Sequence, residues 1–148
     1  MKPDSATAPN YNVQWRPMTP STKLQNDIVE FIDGWNVLPP LQKLAAATIM
    51  QIAKRAAHDK KKLGKLRGIF ECLRRTPGYA AYAIEEAACV PETLPHNLPT
   101  MVVQTCLELG PSSKKDLWTA VLADIESAVG IGPIGVAQIV EDRLAKAT

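Results

Sequence analysis

Aromatic residues are scarce: three Trp, three Tyr and two Phe make up 5% of 148 residues. Single-stranded nucleic acid is commonly gripped by rings interleaved with cations, and the most basic stretch of this chain holds only Phe70. Cysteine is equally thin. Cys72, Cys89 and Cys106 are odd in number and share no CxxC spacing, which excludes a disulfide framework and the short ligand spacings of zinc sites. Two histidines, His58 and His96, stand far apart with no nucleophile spaced to either. The chain has no GxxxxGK[ST] loop and no GxGxxG after a strand, so nucleotide hydrolysis by those routes is excluded. Glu85 and Glu86 are neighbours on a helical segment, point about 100° apart and cannot act as a matched carboxylate pair. These gaps predict a protein that is not an enzyme and holds no metal or cofactor.

Two further absences bear on class. No segment alternates with period two and β-branched enrichment, so no strand is expected. No uncharged apolar run reaches the ~20 residues that cross a bilayer, and the first residues lack the apolar core of a signal peptide. A soluble protein of the reducing cytoplasm, without a membrane partner, is expected.

What is present is helical period. With 46% hydrophobic and 22% charged residues, the chain can bury one core of ordinary size, roughly 68 to 70% of its unfolded surface. Residues 1–20 carry Pro3, Pro9, Pro17 and Pro20 among small polar residues and read as a flexible N-terminal arm; residues 21–148 read as a single helical domain. Within the arm Tyr11, Val13 and Trp15 alternate, a short strap that fits either its own domain or a protein partner.

Beyond the arm, Thr22 with Gln25 makes a capping box ahead of Leu24, Ile28, Phe31 and Ile32. Pro40 opens a second helix whose stripe runs Leu41, Leu44, Ala45, Thr48, Ile49, Ile52, Ala53 and Ala56. A third spans 60–75 with Leu63, Leu66, Ile69, Phe70 and Leu73 on one side, and a fourth runs over 77–88. The remaining segments are 99–109, 113–129 behind a Ser113 and Asp116 capping box, and 133–146. The fold class is all-α, a compact bundle of six or seven short helices.

The formal charge of +2 conceals a segregation. Residues 54–75 hold nine bases against Asp59 and Glu71, a balance of +7, leaving the rest of the chain at −5. A concentrated positive field attracts polyanions even on a nearly neutral molecule. On the third helix Lys60, Lys61, Lys62, Lys65, Arg67, Arg74 and Arg75 are the expected contacts, as positioning charges on phosphates rather than base readers. Gly64 and Gly68 fall together on the outward side and leave the backbone open to a phosphate or a second helix.

Near the C-terminus VGIGPIGVAQIV follows the apolar helix LWTAVLADIESA. Residues 117–144 resemble a helix-hairpin-helix motif, two short helices about a glycine turn whose amides face a nucleic-acid phosphate. The resemblance implies that Gly130, Ile131 and Gly132 form the hairpin and that Ile139 packs. The same glycines also suit a tight connection between antiparallel helices, and between Asp116 and Asp142 five acids meet no base.

The expectation is therefore a non-enzymatic nucleic-acid-binding or nucleoprotein accessory protein, with DNA and RNA both open. The alternative is an adaptor or inhibitor that binds an acidic protein surface, with Tyr11, Trp15 and Trp35 as anchors. A homo-oligomer crossing at Gly64 and Gly68 is a third possibility.

Overall fold

The computed structural model describes residues 19–34, 39–109, 115–128 and 130–147. Seven α-helices and one 3-10 turn occur among them, and no strand. In chain order they are α1 (Pro20–Asp33), α2 (Pro40–Ala56), α3 (Lys60–Arg75), the turn Pro77–Tyr79, α4 (Ala80–Ala88), α5 (Leu98–Leu109), α6 (Lys115–Ser127) and α7 (Pro133–Ala147).

Local chemistry sets the helix ends. The first helix is capped by Thr19, whose Oγ1 accepts from the Thr22 amide at 3.1 Å, with Pro20 in the first turn. This corrects the expected capping box at Thr22 and Gln25: Gln25 turns back and donates through Nε2 to Ser21 Oγ at 3.0 Å. A proline at N1 lacks only an amide that has no partner within the helix, so the helix is capped three residues earlier than expected. The cap of α3 is Asp59, whose Oδ1 accepts from the Lys62 amide at 3.1 Å. Between α2 and α3 the chain reverses through Ala57, a non-glycine residue at φ 53°.

The second helix is the axis of the bundle and packs against α1, α3, α4, α5 and α7. The stripe expected on one face understates it, because every residue from Gln42 to Ala53 is buried. Ala45, Ala46 and Ala47 let neighbouring helices approach closely, which is how a helix can be enclosed on all sides. Around it the core takes Leu24, Ile28 and Phe31 from α1 and Leu63, Leu66 and Phe70 from α3. The rings of Phe31 and Phe70 meet edge to face, centroids 5.6 Å apart at 90°. Trp118, fully buried, anchors α6 against this core, and Val136 and Val140 anchor α7.

Enclosure draws polar groups inside. Lys43 is only 4% exposed, with Nζ 5.6 Å from the Trp118 ring centroid. Burial lowers its pKa, and burial pushes the Cys106 thiol up to about 12. Gln51 donates to Thr105 Oγ1, which donates in turn to the Met101 carbonyl at 2.9 Å. Burying these groups is tolerable because most of them are hydrogen-bonded. No described helix is long and apolar enough to cross a membrane.

Candidate functional site

The third helix presents the basic residues by elimination. Leu63, Leu66, Phe70 and Leu73 recur at spacings of three and four and are buried, so side chains on the opposite arc face outward. Lys60, Lys61, Lys65, Arg74 and Arg75 are exposed, and Lys62 and Arg67 are half-buried.

Carboxylates then divide the seven expected contacts. Arg67 Nη1 donates to Asp27 Oδ2 on α1 at 2.7 Å and stands 3.6 Å from Glu71. Arg74 Nη2 donates to both oxygens of Glu71, at 2.6 and 2.8 Å, with its guanidinium 5.3 Å from the Phe70 centroid. Lys62 Nζ lies 3.9 Å from Asp59. Lys60, Lys61, Lys65 and Arg75 form no ion pair among the described residues. The first three occupy the N-terminal half of the helix and Arg75 its last position.

These four lie along the outer edge of α3, together with Gly64 and Gly68. At either glycine a side-chain β-carbon would meet nothing within 4 Å, so the backbone between the cations is bare. From Lys61 to Arg75 the helix rises about 21 Å, and Lys61 and Lys65 are about 6 Å apart. Lys54 and Arg55, both exposed in the last turn of α2, extend the positive field past the N-terminus of α3. Grooves flank the edge on both sides. One, of about 710 Å³, lies between α3 and α1 and includes Lys23, Lys60 and Arg67; the other lies between α3 and α4.

The C-terminal hairpin packs closely on α7. Gly130 has φ +98°, and the Val136 amide donates to the Gly132 carbonyl at 3.0 Å as α7 begins. Ile131 is half-buried against the core, whereas Gly132 is exposed. A β-carbon at Gly135 would come 2.9 Å from that of Ile131, so turn and helix touch there. Ile139 is half-buried against the core, and Val136, Ala137 and Val140 of the same helix are buried. Arg143, the one base between Asp116 and Ala145, donates to Asp124 at 2.7 and 2.9 Å and holds that carboxyl below the usual range. It ties α6 to α7 and leaves the turn without a free cation of its own.

Tyr11, Trp15 and Trp35 lie outside the described residues. His58 and His96 are exposed. No group of three or more His, Cys, Asp or Glu side chains converges among the described residues. Sequence reasoning missed the Asp27 and Glu71 partners, since one of them is forty residues distant from the base it neutralises. It also missed the second wall of the α3–α4 groove, where Tyr82, Glu85 and Glu86 face Lys65. The chain matches no family model, no curated protein and no solved structure.

Proposed function

We propose that the chain is a non-enzymatic nucleic-acid-binding protein that lies along a phosphate backbone with the outer edge of α3. The observation that carries this reading is the division of the basic residues. Lys60, Lys61, Lys65 and Arg75 have no carboxylate partner among the described residues, line one edge of one helix and flank a backbone stripped of side chains by Gly64 and Gly68. A cation already neutralised gains little from a phosphate, so Arg67 and Arg74 serve the fold and the other four serve the polyanion. Lys54 and Arg55 add to the field that guides approach.

Contacts of this kind set register without reading bases, so affinity depends on salt more than on sequence. Four neutralised phosphates give a log-log salt slope of about −3.6 on duplex DNA. The decisive experiment titrates a labelled duplex with the wild type and with Lys60→Glu/Lys61→Glu/Lys65→Glu from low to moderate salt. The triple variant is expected to lose about 2.7 of that slope and nearly all retention at low salt. An unchanged binding curve would overturn the reading. Protein partners that persist on the wild type after nuclease treatment, and vanish with the triple variant, would instead assign the edge to an acidic protein surface.

A further inference from the structure

The groove between α3 and α4, about 920 Å³, has walls of opposite sign. Lys65 stands on the α3 wall beside the bare Gly64 and Gly68, and exposed Glu85 and Glu86 stand on the α4 wall. Neither glutamate forms an ion pair among the described residues. Its floor is apolar, with half-buried Ile69, Tyr79 and Val90. At the lip Tyr82 is 64% exposed, its ring 6.0 Å from that of Tyr79.

We propose that this groove is a two-fold interface with a second copy of the chain. Tyr82 of each copy sits over the Gly64 and Gly68 notch of the other, and Glu85 and Glu86 face the other copy's Lys61 and Lys65. Charge decides the occupant. A partner of a single sign satisfies one wall and is repelled by the other, whereas a two-fold axis brings each basic wall opposite an acidic one. Shape agrees, because the exposed ring is a projection and the glycines form the recess that matches it. Every such contact is made twice across a closed symmetric interface. With only +2 on each copy, repulsion between whole molecules is weak.

The interface does not rest on the phosphate reading. It shares Gly64, Gly68, Lys61 and Lys65 with the phosphate edge and leaves only Lys60 and Arg75 of the four bases to a polyanion. Anything that binds the shared lysines competes with the second copy for them.

Sedimentation equilibrium of the full chain, without nucleic acid, tests the interface. The wild type is expected to dimerise. Gly68→Leu is expected to fill the notch and raise the dissociation constant roughly thirtyfold or more, as loss of a central aromatic anchor does. Since the site is open and leucine is the better helix former, this variant folds at least as well as the wild type, which circular dichroism and thermal melting verify. Glu85→Lys/Glu86→Lys is expected to give monomers, and adding Lys61→Glu/Lys65→Glu to restore the dimer. A wild type that stays monomeric at high concentration overturns the proposal. So does a dimer indifferent to Gly68→Leu, or a charge reversal that the quadruple variant fails to rescue.

Discussion

Arg67 on α3 donates to Asp27 on α1 across 2.7 Å, while Lys65, two residues earlier, has no ion-pair partner among the described residues. Two bases that look alike in a charge count thus stand in different surroundings. Arg67 also lies 3.6 Å from Glu71, which Arg74 holds from the next turn, so α1 and α3 are joined by a small charge network. Arg67→Ala is expected to destabilise the fold by about 1 kcal/mol, because both partners are half-exposed and solvent screens the pair. It should leave the salt slope of duplex binding unchanged. Lys60→Glu/Lys61→Glu/Lys65→Glu is expected to do the reverse, removing about 2.7 of the slope and sparing the melting temperature. Melting and salt titrations of both variants check this double dissociation.

Alkaline stability follows from the buried pair next to Trp118. The Cys106 thiol is raised from its ordinary value of 9.0 to about 12 because burial disfavours the charged thiolate. The folded chain therefore keeps a proton that the unfolded chain has lost. This contribution is complete below pH 9 and disappears as pH climbs to 12, at about 1.4 kcal/mol per pH unit at its steepest. Lys43 works in the opposite sense. Its pKa is lowered by burial, so the unfolded chain binds more protons and stability rises toward pH 10.5. Denaturant melts between pH 8 and 12 should show a shallow decline at first and a steeper one later. Cys106→Ala is expected to flatten the late decline, and Lys43→Met to steepen the early one.

The helix boundaries of α3 and α2 are legible in the sequence because they depend on neighbours in the chain: Asp59 as cap, Thr76 and Pro77 as stop, Pro40 as start. Burial is less so. Gln42, Lys43 and Gln51 read as the solvated side of an amphipathic helix, yet α2 is enclosed by five others, and only their arrangement puts Lys43 against Trp118. The candidate site is legible by half. Residues 54–75 announce the excess of bases, and Gly64 and Gly68 announce an open face. Which bases stay free depends on Asp27 from α1, and the acidic wall of the groove comes from α4, neither of which periodicity places beside α3.

The reversal between α2 and α3 carries strain that substitution can remove. Ala57 has φ 53° and ψ −98°, where a β-carbon crowds the backbone and glycine does not. Its amide nevertheless donates to the Ala53 carbonyl at 3.3 Å, so the conformation is held by the helix end. Ala57→Gly is expected to stabilise the fold by about 1 kcal/mol, net of the greater freedom of glycine in the unfolded chain. Thermal melting should show a rise of about 3 °C. Because the turn only sets the angle at which Lys60 and Lys61 leave it, phosphate affinity should hold.

The C-terminal hairpin supplies a test with three glycines of different standing. Gly130 needs its φ of +98°, so Gly130→Ala strains the backbone and is expected to cost about 1 to 2 kcal/mol. Gly135 sits on a helix, yet a β-carbon there would lie 2.9 Å from that of Ile131, and the turn would have to shift to admit it. Trimming Ile131 cannot relieve a clash with its own β-carbon, so Ile131→Ala should fail to rescue Gly135→Ala. Gly132 has ordinary φ and open space, and Gly132→Ala should be neutral or slightly stabilising. If the turn's amides received a phosphate, a methyl group at exposed Gly132 would obstruct it and weaken duplex binding without touching stability. With α3 as the contact surface, Gly132→Ala is expected to leave both unchanged. A loss of affinity at constant melting temperature would move the phosphate contact from the edge of α3 to the hairpin.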